Sequence, residues 1–350
     1  WEAGESKMNL SNIPINEKVV SIYLNGSTFL LTDAGKLYAS GVVNLSPGMG
    51  SSFSNSSKVY TPSLVKSNYA AFNSSVIKKF YTDRYYNLED GTLAVAVTED
   101  GWLYGWGVVN GGGLSLTKIP KLLLSPSQTG GKKIVDAVTD GGTIWALDES
   151  GSVWSAGKNL YGQLARNYNG EADSNFQKIT IPSNKTITKI AADGFSVLFL
   201  AVDGDVYGAG LNNASQLGFP KSTPGCTIKV PRYAWGWPTG KYDEIEGCSK
   251  QPKLYQLPNG IKAKDIFIVS PGVFNPKGNN SYETEADRYR NSFIVTKSGE
   301  VYGAGSNYHG QLGIGSNVEY DIPKKMILDN SNSDSAIVGV EAEPVVAAYV

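Results

Sequence analysis

A short pattern recurs along the chain at intervals of roughly 50 residues, and it restricts the fold more than any other feature. It reads glycine, any residue, valine or leucine, an aromatic residue, two further residues and a second glycine, followed by a polar loop. The clearest copies are GSVWSAGKNLYGQLA from Gly151, GDVYGAGLNNASQLGF from Gly204 and VYGAGSNYHGQLGIGS from Val301; the copies from Gly35 and Gly101 are degenerate. A unit of this size cannot bury its apolar face alone, so the copies must stack on one another.

A second half-motif precedes each copy and consists of two apolar segments joined by a turn. Examples are VVSIYLNGSTFLLTDAG, KIVDAVTDGGTIWALDESG and ITKIAADGFSVLFLAVDG. The apolar residues alternate with period two and the turns are rich in Gly, Asn and Asp, which is the pattern of β-hairpins. The sequence therefore predicts an all-β protein built from repeated units of short antiparallel strands.

The glycine-rich stretch from Val301 could also be read as a phosphate-binding loop. Such a loop requires a helix after the glycines, so that the helix N-terminus faces the anion. Here the next segment is NVEYDIPKKMIL, which contains Pro323 and has no long helical stripe. The repeat interpretation is therefore favoured over nucleotide binding.

The pattern of glycine, aromatic residue, glycine and asparagine followed by Gly-Gln-Leu-Gly resembles the regulator of chromosome condensation repeat family, whose members build β-propellers. The resemblance covers nearly the whole chain and indicates the fold better than the function. It implies structural roles for the residues of the copy at Val301. Gly303 and Gly305 would let neighbouring backbones approach, and Tyr302 and Leu312 would pack between blades. Asn307 and Gln311 would satisfy backbone groups of the loop.

The two chain ends read as complementary halves of one repeat. Trp1–Gly4 matches Trp154–Gly157, whereas the C-terminal AIVGVEAEPVVAAYV matches the half-motif that precedes the aromatic strand. Because a propeller grows by adding blades to one ring, we expect a single domain, 1–350, with six blades and a ring closed by pairing of its N- and C-terminal strands. Seven blades would require a further, unrecognised copy between Gly210 and Gly305.

Two segments interrupt the repeat, and the first carries both cysteines. The segment 219–250 is predicted to be an insert stapled by a Cys226–Cys248 disulfide, with two free buried thiols as the alternative. The segment 270–292 is predicted to lengthen a hairpin loop. Clustered aromatic residues in the first insert either bind a partner or pack down on the propeller as a lid: Tyr233, Trp235, Trp237 and Tyr242.

The sequence offers little for catalysis or metal binding, so no catalytic, cofactor or metal site is predicted. His309 is the only histidine and lies in a repeat loop, which argues against histidine-based acid–base chemistry and the usual zinc sites. Glu283, Glu285 and Asp287 share a loop but match no calcium-binding spacing. Trp102 and Trp106 lie in a repeat strand and are expected in the core. The net charge of −1 favours no nucleic-acid partner, and no apolar stretch is long enough to span a bilayer.

Acceptor sequences for N-linked glycans are more frequent than chance predicts. The chain begins at Trp1 and is expected to be processed or a fragment. Together with the cysteine pair, the acceptors favour a secreted or surface protein. Five of them lie in the first two repeats, and three lie further along the chain: Asn9, Asn25, Asn44, Asn55 and Asn73, then Asn184, Asn213 and Asn279.

Three functions follow from these features. The first is a non-enzymatic extracellular glycoprotein that binds a protein partner or assembles with itself, as a filament or surface-layer subunit does. The second, implied by the family resemblance, is an intracellular regulator like the family's nucleotide-exchange factor for a small GTPase. The third is a secreted propeller of the enzyme-inhibitor type. The acceptor sequences and the cysteine pair favour the first.

Overall fold

The structure is a computed structural model, and it describes part of the chain. Within 228–234 and 237–246 only the backbone is described, and both chain ends lie outside. The described residues are 12–24, 27–42, 58–82, 93–107, 114–117, 119–140, 142–193, 195–223, 226–234, 237–269 and 290–327.

The described strands form five four-stranded antiparallel sheets, each with its strands in chain order apart from one inserted hairpin. The all-β prediction is therefore confirmed. The chain divides into two compact units, 1–142 and 143–350, each with its own core.

The first unit contains two complete sheets, one short helix and one further strand. The first sheet consists of β1 (Val19–Leu24), β2 (Ser27–Thr32), β3 (Leu37–Val42) and β4 (Lys58–Leu64). Helix α1 (Ala70–Ser74) leads to the second sheet, which consists of β5 (Ile77–Thr82), β6 (Leu93–Thr98), β7 (Leu103–Gly107) and β8 (Lys121–Leu124). A 3-10 turn (Pro126–Thr129) then precedes β9 (Ile134–Asp140).

The second unit contains the strands from β10 onwards. The third sheet is made of β9 with β10 (Thr143–Asp148), β11 (Val153–Lys158) and β12 (Ala172–Lys178). After a 3-10 turn (Pro182–Asn184), the fourth sheet is made of β13 (Ile187–Asp193), β14 (Ser196–Ala201), β15 (Val206–Leu211) and β18 (Cys248–Leu254). The inserted hairpin is β16 (Thr227–Ala234) and β17 (Trp237–Glu246), and the fifth sheet is β19 (Ala263–Val269), β20 (Asn291–Thr296), β21 (Val301–Gly305) and β22 (Tyr320–Lys325).

The core of the first unit is aromatic. Trp106 is fully buried, and Trp102 packs against the same cluster, as the sequence predicted. The ring of Phe72 meets Tyr104 edge-on at 5.0 Å, and Phe80 lies 5.8 Å from Trp106. Offset and edge-on pairs of this kind stabilise a core beyond the area they bury.

The second glycine of the repeat lies in the aromatic strand opposite a β-bulge, whose extra residues belong to the fourth strand. The register between third and fourth strands shifts immediately before this glycine, for example at Gly157, Gly210 and Gly305. Gly305 has a φ of +115°, and a Cβ there would lie 2.1 Å from the carbonyl oxygen of Arg290. Glycine is therefore required by backbone conformation and by close backbone approach. At Gly303 the close neighbours are instead the side chains of Leu312 and Phe293.

The asparagine and glutamine of the repeat hold the polar loop in place, as the sequence predicted. Asn307 donates through Nδ2 to the carbonyl oxygens of Ser316 and Val318, and its Oδ1 accepts from the Leu312 N–H. Gln311 Oε1 accepts from the His309 N–H at 2.8 Å. Asn159 with Gln163, and Asn212 with Gln216, form the same bonds in the two preceding sheets.

The insert is shorter than the predicted 219–250. Phe219 is buried in the core of the second unit, and Cys248–Leu254 is the fourth strand of a sheet. Among the described strands, only the two strands of the hairpin, β16 and β17, stand apart from the repeated sheets. The sequence could not show this, because β18 lacks the glycine and aromatic markers of the repeat. The strands β19 and β20 pair antiparallel, while the predicted loop between them lies mostly outside the described residues.

Candidate protein-binding surface

The hairpin β16–β17 emerges between the third and fourth strands of its sheet without disturbing their pairing. Leu211 at the end of β15 pairs with Cys248 at the start of β18. Cys226 is joined to Cys248 by a disulfide, with a Cα–Cα distance of 5.1 Å. The disulfide therefore closes the neck of the hairpin, as predicted, and both cysteines are buried.

Buried apolar side chains support this neck. The disulfide packs with Leu211 in a small cluster, against which Tyr161 and Phe195 lie. The rings of Tyr161 and Phe195 are 5.0 Å apart. The base of the hairpin is therefore anchored to the sheet, while β16 and β17 pair only with each other in the described protein.

Three of the four predicted partner-binding aromatic residues lie in the strands of this hairpin. Tyr233 is in β16 and pairs with Pro238, and Tyr242 in β17 pairs with Pro231. Trp237 pairs with Ala234 at the end of the hairpin, and Trp235 lies outside the described residues. Strand β16, with 8 residues, extends over roughly 25 Å. Whether these side chains contact a partner or the propeller stays a prediction.

The polar loops of three successive sheets meet around the neck. Lys250, just after the disulfide, donates from Nζ to Asn169 Oδ1 at 2.9 Å in the preceding sheet's loop. Arg290, before β20, donates to Asn213 Oδ1 at 3.0 Å, and Ser215 donates to Asp321 of the following sheet at 2.9 Å. These contacts place the three loops and the hairpin on one rim of the second unit, which we call the loop rim.

The loop rim exposes apolar side chains from a rigid base. Leu160, Tyr308 and Val318 are each about half exposed, at 51%, 56% and 51%. The loop after Asn159 is held by an ion pair between Arg166 Nη1 and Asp173 Oδ2 at 2.9 Å. Burial alone would raise the pKa of Asp173, but the Asn175 N–H and the Arg166 guanidinium outweigh it and hold that pKa below its usual value. Protein interfaces combine exposed apolar groups of this kind with a surrounding polar rim.

Three of the predicted glycan acceptors are described, and they differ in environment. Asn184 is exposed, whereas Asn213 accepts a hydrogen bond from Arg290. Asn73 is exposed, but its Nδ2 donates to the Ser67 carbonyl at 2.7 Å and its Oδ1 accepts from the Ser67 N–H. The remaining acceptors lie outside the described residues: Asn9, Asn25, Asn44, Asn55 and Asn279.

The residues considered for chemistry form no reactive group where they are described. His309 is an exposed loop residue whose ring lies edge-on to Tyr308 at 5.1 Å. In the described part of the chain no three His, Cys, Asp or Glu side chains come together as metal ligands. Glu283, Glu285 and Asp287 lie outside it. None of its helices is both long and apolar enough to cross a membrane.

Comparisons with known proteins agree with this architecture. The model of the regulator of chromosome condensation (RCC1) repeat matches residues 298–342. The ultraviolet-B receptor UVR8 of Arabidopsis thaliana is 27% identical over 65% of this chain and 42% of its own length. Protein RCC1 of Candida albicans is 27% identical over 62% of this chain and 41% of its own length. The chain thus spans less than half the length of these relatives.

A solved structure shows the same fold. Prp20p of Saccharomyces cerevisiae, described with its binding properties to Gsp1p and histones, superposes with a TM-score of 0.61. The match covers 90% of this chain and 64% of Prp20p at 19% identity. Human WBSCR16 matches with the same TM-score at 16% identity, over 89% of this chain and 68% of its own.

Proposed function

The chain is an RCC1-like repeat protein, and on this premise we propose that it is a non-catalytic regulatory module that binds a protein through the loop rim. The observation that carries the proposal is the stapled hairpin, which is added to a sheet whose own pairing is complete. An element that the fold does not need is available for recognition.

Relatives favour the regulatory class over the extracellular interpretation drawn from the sequence. Prp20p has binding properties to Gsp1p and histones, and the matched relatives include protein RCC1 and an ultraviolet-B receptor. None of these comparisons supports secretion or glycosylation. We therefore propose a function of the exchange-factor type, with a small GTPase as the partner class to test first.

The test removes the hairpin without disturbing the sheet. Because the Cα atoms of Cys226 and Cys248 are 5.1 Å apart, a Gly-Asn-Gly linker can replace residues 227–246 and leave the disulfide intact. We expect an unchanged melting temperature together with loss of binding. The probe is a small GTPase loaded with fluorescent GDP, and Gsp1p and histones are tested in parallel by biolayer interferometry.

A milder variant distinguishes recognition from folding. Replacing Trp235 and Trp237 by Ala should weaken binding by at least tenfold if the aromatic side chains contact the partner. A partner that binds the hairpin-less protein as tightly as the parent would contradict the proposal. A large loss of stability in the double variant would indicate that the tryptophans pack on the propeller.

A second candidate function is a secreted module that uses the same surface. The Cys226–Cys248 disulfide favours it, because disulfides persist mainly in oxidising compartments. Under this proposal the acceptors carry glycans and the module binds a protein or a second copy of itself. Intact-mass measurement before and after glycosidase treatment tests the glycans, and light scattering tests self-assembly.

We also propose that the five sheets are five blades of a six-bladed ring, whose last blade is shared by the chain ends. The described strands between Gly210 and Gly305 support six: they comprise one strand completing the fourth sheet, the two-stranded hairpin, and two strands beginning the fifth. They include no four-stranded set that could form a seventh blade.

A further inference from the structure

The first unit contains an open cleft that the proposed function does not use. It lies where the β2–β3 turn, the end of β4, helix α1 and the start of β5 come together, and its volume is about 320 Å³. We call it the Phe72 cleft. A cleft of this volume can hold one large side chain of a bound peptide together with the residues on either side of it.

The floor of the cleft is apolar and preformed. Leu37, Val65, Phe72 and Ile77 line it and belong to the aromatic core of the unit. Phe72 is fixed by edge-on contacts with Tyr104 at 5.0 Å and Trp106 at 6.1 Å. Filling such a floor with an apolar group requires no rearrangement, which favours binding.

The rim of the cleft is positively charged. Lys36 and Lys66 line it, and no carboxylate is among the residues that form the cleft. Lys36 Nζ lies 3.4 Å from the carbonyl oxygen of Asn73. Among the described residues neither lysine has an ion-pair partner, whereas Lys78 nearby is paired with Glu99 at 2.9 Å. Two unpaired cations beside an apolar floor attract an apolar group flanked by negative charge.

The backbone at the rim favours a peptide over a small anion. Val65 donates its N–H to Leu37, and Ser67 is bonded to the side chain of Asn73. Between them, the backbone N–H and C=O of Lys66 are not bonded to any described residue. An extended peptide lying along this segment can pair with those two groups.

We propose that the Phe72 cleft binds an extended acidic segment of a partner protein, with one leucine or phenylalanine on the floor and carboxylates at Lys36 and Lys66. The cleft shares no residue with the loop rim. Asn73 lines it, so a glycan on that asparagine would obstruct it. Occupancy by the segment and glycosylation of Asn73 therefore exclude each other.

The test uses a fluorescein-labelled heptapeptide, Glu-Asp-Glu-Leu-Glu-Asp-Glu, and fluorescence anisotropy at low and physiological salt. One control peptide has Ser in place of Leu, and another has Lys in place of every acidic residue. The variant is Lys36→Glu with Lys66→Glu. Its matched control is Lys264→Glu with Lys297→Glu, which changes the net charge equally at two exposed positions of the second unit.

We expect the acidic leucine peptide to bind the parent, the control variant and the hairpin-less protein equally, and the Lys36/Lys66 variant on the order of tenfold more weakly. Both control peptides should bind more weakly than the leucine peptide. No binding to the parent, equal binding to both charge variants, or equal binding of the serine peptide would overturn the proposal. Loss of binding on hairpin removal would also overturn it, because the peptide would then occupy the loop rim.

Discussion

At the scale of single residues, the loop of each repeat is held by side chains that form hydrogen bonds with otherwise unpaired backbone groups. Asn212 is almost fully buried; its Nδ2 donates to the Phe219 carbonyl at 3.0 Å and its Oδ1 accepts from the Leu217 N–H at 2.8 Å. Buried backbone groups without partners are costly. A short polar side chain at this position therefore determines the course of the loop that leads to the hairpin.

Replacing Asn212 by Ala should lower the free energy of unfolding by about 2–3 kcal/mol, because one N–H and one C=O lose their partner. Chemical denaturation with urea measures the change. Asn259→Ala is the matched control, since Asn259 is exposed and its side chain has no hydrogen bond in the described structure. Equal stability of the two variants would show that the loop does not depend on this capping.

At the scale of elements, a sheet and its insert have different sources of stability. The fourth sheet packs with the fifth in an apolar core that includes Leu198, Ile266 and Ile294. The hairpin, by contrast, is attached through the disulfide and the cluster around Leu211. A two-stranded hairpin is marginally stable by itself, so its order depends on the closed neck.

Replacing Cys226 and Cys248 together by Ala should cost about 3 kcal/mol, because the bond closes a loop with a sequence separation of 22. We also expect the hairpin to be cleaved faster by protease, with first cuts between residues 227 and 246. The parent protein, kept oxidised, is the control. Cleavage at the same rate in both proteins would mean that the neck is held by packing alone.

At the scale of the whole molecule, closure of the ring is the prediction that depends most on the chain ends. Deleting residues 1–4 should remove an apolar strand and leave an exposed sheet edge. We expect a loss of about 3–5 kcal/mol, comparable to removing a large buried aromatic residue. Differential scanning calorimetry measures it, with Glu2→Gln as the control that keeps Trp1. An unchanged melting temperature after the deletion would argue against closure.

Much of the fold follows from sequence because its determinants are local. The glycines of the aromatic strand predict a close approach of neighbouring backbones, and only glycine tolerates the φ of +115° at Gly305 beside the Arg290 carbonyl. The asparagine and glutamine of the loop predict their own hydrogen bonds, which span only a few residues. The function is not local in this sense. The secreted interpretation rested on the acceptor sequences and the cysteine pair, and the matched relatives do not support secretion.

The sequence by itself determined the repeating strand order, the close backbone approach at the repeat glycine and the loop caps, because each is set by residue types within one unit. It favoured a disulfide between the two cysteines over free thiols. Only the tertiary structure decided where the insert ends, since β18 carries no motif and is recognised solely by its pairing with β15. The tertiary structure also forms the Phe72 cleft, because it brings Lys36, Phe72 and Ile77 from separate parts of the chain to one place. Such contacts depend on how the sheets pack against each other, and this packing cannot be predicted from the spacing of residues along the chain.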